Sequence, residues 1–211
     1  MDRWAGPLAT AVGVGGLLYG LLFVWIVQGS PDWVAQAWFA LLLLGALVSV
    51  AVGVALFQRL RPVDEGLALT SLLLGLAGAL GGAVHGGFNL AALINPTTVG
   101  DEASPDPGGV FRYLTAGLAL FLVGWLVVAS GGTALPKKLG QLALAAGAIL
   151  VFIYVGRLYD FITPRHKLTL WPPIVYGLVL HPWLYLWLGR LLRPPAEAPS
   201  HLAPKAPLPS P

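Results

Sequence analysis

Four ionisable side chains interrupt otherwise apolar stretches of this sequence, and each is a candidate for chemistry. They are His85, Arg157, Asp160 and His181. An ionisable group inside a bilayer costs about 2.5 to 3.5 kcal/mol, so each one needs a partner, a water-filled cavity or a functional reason to be there. The chemistry that these residue types offer is hydrogen bonding, anion binding by arginine and metal or haem ligation by histidine.

His85 lies about 15 Å from the end of its apolar stretch, near the midplane of a bilayer. Asn89 follows it by one helical turn, and Gly78 and Gly82 continue the same helix face. Two polar groups then lie beside bare backbone, which predicts either a small cavity or a close helix contact. In the first case His85 and Asn89 bind a ligand, and in the second they hydrogen-bond to a neighbouring helix.

His181 is predicted at nearly the same depth in the last apolar stretch, with Gly177 and Tyr185 on its face. Pro182 follows it directly, and a proline inside a helix frees the carbonyl four residues earlier, here that of Leu178. The expected result is a distorted helix that accommodates polar groups or water at this level. The alternative is a simple proline kink, with His181 bonded to a neighbour's backbone.

Arg157 and Asp160 are spaced three residues apart near the end of the fifth apolar stretch. At this spacing they can pair on one helix face and neutralise each other near the lipid headgroups. The alternative is that Arg157 points inward, above the level of the histidines. There it would bind an anionic headgroup or a carboxylate, with Tyr154 beside it.

Catalytic and metal motifs are missing from the sequence. It contains no Gly-x-Ser-Gly motif, no His-Glu-x-x-His motif and no cysteine. We therefore predict no catalytic residue and no metal site, and an enzyme is the less favoured class. A haem b held between His85 and His181 stays open as an alternative, because histidine is a common axial ligand.

Six apolar stretches must position these residues. Each is long enough to cross a hydrocarbon core of about 30 Å at about 1.5 Å per residue; they span residues 5–28, 33–57, 66–94, 113–131, 139–161 and 171–189. Hydrophobic residues make up 57% of the chain and charged ones 10%, which excludes a water-soluble globule. The sequence predicts an all-α integral membrane protein, a bundle of six transmembrane helices.

Basic residues are concentrated on one side if the stretches alternate in direction. By the positive-inside rule this side is cytoplasmic and holds both termini; its residues are Arg3, Arg59, Arg61, Lys137, Lys138, Arg190, Arg193 and Lys205. Only Arg112, Arg157, Arg165 and Lys167 fall at or near the other side. The basic residues form no continuous face, so we expect no nucleic-acid partner.

The connections complete the predicted organisation. The longest one, residues 95–112, is rich in proline and glycine and is expected to be an external loop that can fold over an outer opening. Residues 163–170 form a short basic loop. Residues 194–211 are proline-rich, which predicts a disordered cytoplasmic tail after a membrane domain of residues 1–193.

Two segments carry a resemblance to a known group of proteins. Residues 81–96, which contain His85 and Asn89, and residues 181–193, which begin with His181 and Pro182, resemble uncharacterised bacterial multi-pass inner-membrane proteins whose domain has no assigned function. The resemblance implies a location in a bacterial inner membrane, and it assigns no activity to the chain.

These observations favour a non-enzymatic protein that binds or transports a small or lipid-like molecule in an outward-facing polar cavity. Six polar residues form its predicted lining, namely His85, Asn89, Tyr154, Arg157, Asp160 and His181. Besides the haem alternative, a packing or assembly subunit without a ligand site stays open. The expected partners are the lipid bilayer, a small-molecule or lipid ligand, and a second membrane protein or another copy of the chain.

Overall fold

The computed structural model describes residues 2–27, 29, 31–96, 106, 109–162 and 171–193, and this part of the chain is helical with no strand in it. Five long helices come first: α1 (Asp2–Val27), α2 (Asp32–Leu60), α3 (Glu65–Ile94), α4 (Val110–Ala129) and α5 (Lys137–Ile162). The last segment, residues 171–191, is continuous and consists of α6 (Trp171–Val175), a π turn (Tyr176–Leu180) and α7 (His181–Leu191).

The five long helices are each long and apolar enough to cross a membrane. Large apolar side chains project outward along all of them, among them Leu21, Leu47, Leu80, Trp125 and Phe152. In a chain with this composition such a surface needs lipid around it. The chain is therefore a multi-pass membrane protein, as the sequence predicts.

The helices form a closed ring in chain order. Each of α1 to α5 packs against the next, α5 packs against the last segment, and the last segment packs back against α1. The contact between α2 and α4 is the one contact across the ring among the described helices. We call the two ends of the ring the Gly29 end, after the turn between α1 and α2, and the Arg61 end, after the turn between α2 and α3.

Glycine stripes close two seams of the ring. Between α1 and the last segment, a Cβ added at Gly20 would lie 2.9 Å from the Gly177 carbonyl carbon. Between α4 and α5, one added at Gly124 would lie 2.6 Å from the Gly140 oxygen. Bare backbone at these positions lets the helices approach closely, which is how membrane helices gain packing energy without a hydrophobic drive.

The sixth apolar stretch contains the distortion expected from Pro182. Its π turn ends where the His181 backbone N–H donates to the carbonyl of Tyr176, five residues earlier. Pro182 lacks an N–H, and its ring would clash with the Leu178 carbonyl in a regular helix. The wider turn relieves that clash, and it has the usual form of a π turn, a single turn within an α-helix.

Each helix boundary lies within three residues of its predicted stretch, and at the start of α4 this difference changes the position of a charged residue. The fourth predicted stretch begins at Tyr113, which puts Arg112 at or near the outer side of the membrane. The helix instead begins at Val110, so Arg112 lies inside it and is buried. The predicted loop at 163–170 and the predicted tail at 194–211 lie outside the described residues.

Candidate functional site

The ring encloses a cavity of about 250 Å³ that every membrane-crossing segment helps to line. Along α2 its lining runs from Leu41 near the Gly29 end to Leu60 at the Arg61 end. The tyrosines, the arginine and the histidine of its lining form one group, here called the polar zone, which consists of Tyr19, Arg112, Tyr113, Tyr176, His181 and Tyr185. Clefts that are mainly apolar with a few polar groups are typical of ligand sites.

Arg112 is the central cation of the polar zone. It is only 9% exposed, and its chain passes Gly82 of α3, where an added Cβ would lie 3.9 Å from its Cδ. Its Nη2 donates to the hydroxyl oxygens of Tyr19 and Tyr113, each at 2.8 Å. The arginine thereby reaches from α4 to α1 across the interior of the ring.

The position of Arg112 follows from the way α4 begins. Asp106 caps the helix: its carboxylate accepts the backbone N–H groups of Val110 at 2.9 Å and Phe111 at 3.3 Å. Gly109 makes the turn into the helix with φ +59°, a conformation that favours glycine. Capped in this way, α4 starts early enough to carry Arg112 as its third residue.

Tyr19 is held in place by stacking. Its ring lies on Trp38 of α2, with ring centroids 4.9 Å apart and an interplanar angle of 19°. The guanidinium of Arg112 lies 5.7 Å from the Tyr19 ring centroid and 4.7 Å from that of Tyr113, within the range of cation–π attraction.

Arg112 has no carboxylate partner among the residues that the structure describes. Its guanidinium is held by neutral hydroxyls, and its Nε lacks any hydrogen-bond partner in that part of the chain. A buried cation without a counter-ion is destabilising, because neutral groups replace only part of its lost hydration. The arrangement is therefore complementary to an anion.

His181 faces the same cavity. Its ring packs against Gly16 of α1, at a place where no Cβ fits. Tyr176 and Tyr185 lie on either side, with ring centroids 5.5 and 4.6 Å away. Its Nδ1 is buried and has no partner in the described part of the chain, so it is a second unused polar group in the polar zone.

His85 is buried elsewhere and does not line the cavity. Its Nδ1 donates to the Asp106 carbonyl oxygen at 2.7 Å, and its ring packs against Phe39 and Gly109. Asn89 donates from Nδ2 to the His85 carbonyl oxygen at 2.7 Å. His85 is thus bonded to the segment that precedes α4, and Asn89 is bonded within its own helix. Both predicted roles of the pair, ligand binding and hydrogen bonding to a neighbouring helix, stay predictions.

Two other predicted site residues, Tyr154 and Arg157, lie outside the cavity lining. Both are half-buried on α5, and Nε of Arg157 has no partner among the described residues. The backbone of Asp160 belongs to α5, but its side chain lies outside the described part of the structure. The predicted pairing of Arg157 with Asp160 therefore stays a prediction. Of the five predicted residues whose side chains are described, His181 is the one that lines the cavity.

Haem ligation by His85 and His181 does not fit this arrangement. His181 faces the cavity, whereas Nε2 of His85 lies against Gly109, where an added Cβ would come within 3.0 Å of it. An iron bound there would displace the turn that begins α4. The two rings do not share a space in which a haem could lie between them.

Sequence reasoning missed Arg112, Tyr19 and Tyr113. The available signal was Asp106 followed three residues later by Gly109, because an acidic cap and a glycine before an apolar run predict a helix start. A start at Val110 puts Arg112 on the first turn of the helix. Tyr113 follows Arg112 directly, whereas Tyr19 lies on α1 and reaches the arginine only through the packing of the ring.

Comparison with known proteins adds no relative: no family model, no curated protein and no solved structure matches this chain. The resemblance of residues 81–96 and 181–193 to bacterial inner-membrane proteins accordingly stays a prediction.

Proposed function

We propose that this chain is a non-enzymatic membrane protein that binds or transports a small anionic or lipid-like molecule. The molecule would bind in the cavity of the helical ring. Arg112 is the anion contact. Tyr19 and Tyr113 orient its guanidinium, and His181 adds a hydrogen-bonding group on the facing side of the cavity.

The observation that carries the proposal is the unpaired charge of Arg112. Hydrogen bonds to charged groups contribute roughly 1.5 to 3 kcal/mol each, and a planar guanidinium offers carboxylate or phosphate two parallel bonds. Its Nη2 is engaged by the two tyrosines, whereas its Nε has no partner in the described structure. An anion in the cavity would supply the missing acceptor.

The same proposal includes the orientation in the membrane. We take residues 171–191 as the sixth span, place both termini in the cytoplasm and assign the Arg61 end to the cytoplasmic side of a bacterial inner membrane. Seven basic residues support this, all exposed at that end: Arg3, Arg59, Arg61, Lys137, Lys138, Arg190 and Arg193. Arg112 does not count against it, because it is buried in the ring.

The test is anion binding by the full chain in phosphatidylcholine nanodiscs, with laurate as the probe and dodecanol as its neutral counterpart. We expect laurate to raise the melting temperature of the wild type more than dodecanol does. Arg112→Gln should lower the affinity for laurate by about 10- to 100-fold, the equivalent of one charged hydrogen bond.

Two further variants make this test specific. Arg59→Gln removes an exposed arginine of α2 and should leave laurate binding unchanged, whereas Arg112→Lys keeps the charge and should recover part of it. Equal binding of laurate by the wild type and Arg112→Gln would refute the assignment of the anion contact. No difference between laurate and dodecanol in the wild type would refute anion binding itself.

A further inference from the structure

We propose that the cavity holds a single-chain anionic amphiphile whose head group binds at Arg112 and whose hydrocarbon tail extends toward the Arg61 end. This inference rests on the proposed function and specifies the ligand class. The evidence is the distribution of polar atoms along the cavity and its shape.

The cavity has two chemically different parts. The polar zone lies beside the first half of α2, since Tyr19 stacks on Trp38 there. Beyond it, toward the Arg61 end, the lining from α2, α3 and α4 is apolar except for Ser49 and Ser71; this tail zone runs along α2 to Leu60 and includes Gly53 and Gly75. Tyr185 borders it beside Leu56 and Val123.

Both serines of the tail zone are already satisfied. Ser49 Oγ donates to the Ala46 carbonyl oxygen at 2.7 Å, within its own helix. Ser71 Oγ donates to the Ala119 carbonyl oxygen of α4 at 3.2 Å. Neither serine hydroxyl therefore has a free proton to offer to an occupant of the cavity.

Water is a poor occupant for such a space. A buried water molecule needs two to four polar partners, and apolar cavities without them stay dry. An empty space of this length would leave its lining without contacts and so cost packing energy. A hydrocarbon chain fills the space and needs no hydrogen bonds.

The shape favours one extended chain. From Ser49 to Leu60 the tail zone runs along α2 for roughly 16 Å at 1.5 Å per residue. The whole cavity has a volume of only about 250 Å³, so a space of that length is narrow. It fits one linear tail better than a fused ring system or two chains side by side.

Chain-length selectivity tests the inference. Nanodiscs of phosphatidylcholine containing the full-length protein are equilibrated with equimolar octanoate, laurate and palmitate, and the acids retained by the protein are quantified by mass spectrometry. We expect the wild type to retain laurate and palmitate at least tenfold over octanoate. Dodecyl phosphate is offered against laurate in a second arm, and their ratio identifies the preferred head group.

Filling the tail zone with a larger side chain should abolish this preference for longer acids. Gly75→Leu and Gly53→Leu introduce side chains where an added Cβ meets its nearest atom at 3.8 and 3.5 Å, so the first carbon fits without backbone movement. Each should reduce the palmitate-to-octanoate ratio by about tenfold or more and leave octanoate bound. The matched control is Leu73→Phe on the exposed face of α3, which should change nothing.

The outcomes separate the two proposals. The tail assignment is overturned if anions bind through Arg112 without any preference for chain length. It is also overturned if both filled variants keep the preference of the wild type. Either result leaves the anion site at Arg112 intact. If the wild type shows no anion binding that depends on Arg112, the proposed function is overturned as well. Two filled variants are used so that misfolding of one does not decide the result, and the melting temperature of each is measured in parallel.

Discussion

His85 and His181 are the same residue type, each within an apolar helical segment, yet their surroundings are opposite. His85 donates to a backbone carbonyl and packs against the turn that begins α4. His181 faces the cavity, and its Nδ1, which lies against Gly16 of α1, has no hydrogen-bond partner in the described structure. His85 is thus satisfied by its own chain and supports the fold, whereas His181 lines the cavity with one ring nitrogen unsatisfied.

The difference originates in the connection before α4 rather than in the helices that carry the histidines. Asp106 and Gly109 pack against α3 at His85, about 13 Å before its end at Ile94. Irregular backbone is tolerated at membrane depth where protein surrounds it. His85 supplies one of the required hydrogen bonds, and no comparable segment reaches His181 among the described residues.

The largest loss of stability is expected from a substitution at Gly109, where the turn before α4 contacts the His85 ring. Gly109→Ala forces a side chain into the left-handed region and brings its Cβ to 2.9 Å from the His85 ring. Strain and overpacking together should lower the free energy of unfolding by about 3 to 4 kcal/mol, measured by detergent-induced unfolding.

Gly131→Ala is the matched control for that variant. Its φ of +66° is similar, but an added Cβ meets no atom within 4 Å. The cost should be about 1 kcal/mol, from backbone strain alone. Equal losses in the two variants would show that the His85 contact contributes nothing.

The next effect compares the two histidines directly. His85→Ala leaves the Asp106 carbonyl without its donor and opens a hole beside Gly109, so we expect a loss of about 2 to 3 kcal/mol. His181→Ala enlarges a cavity that already exists and should lose less than about 1 kcal/mol while weakening laurate binding. If His181→Ala cost more stability than His85→Ala, the contrast between the two histidines would be contradicted.

The smallest effect concerns the packing of His181. Gly16→Ala places a methyl group against its ring and should lower stability by about 1 to 2 kcal/mol, whereas Gly15→Ala, with nothing within 4 Å, should be neutral. In a His181→Ala background the Gly16→Ala loss should disappear. A loss that persists in the double variant would place the clash elsewhere.

Hydropathy was sufficient to predict the helices, because a bilayer leaves long apolar segments few alternatives to a helix. The effect of Pro182 also followed from local chemistry. The ring closure did not, since the contact between α1 and the last segment joins residues far apart in the sequence. Sequence reasoning therefore treated His85 and His181 as equivalents by depth, although their neighbours differ.

The anion site was missed for a more local reason. An error of three residues at the start of α4 moved Arg112 from the interior to the surface, and helix boundaries are where sequence patterns are least precise. Its partner Tyr19 comes from α1, which periodicity in a single segment cannot reveal. His181 was identified because its polarity conflicts with its apolar neighbours.

The closed ring also makes the chain order of the helices partly arbitrary. The start of α1 and the end of α7 meet at the Arg61 end, where an added Cβ on Gly6 would lie 2.7 Å from Cγ of Arg193. A short covalent link there, with a new opening at the Gly29 turn, would yield a circular permutant with the same neighbours throughout. The seam between α1 and the last segment is thus the one joint of the ring that no connecting loop constrains, and the two segments meeting there carry Tyr19 and His181.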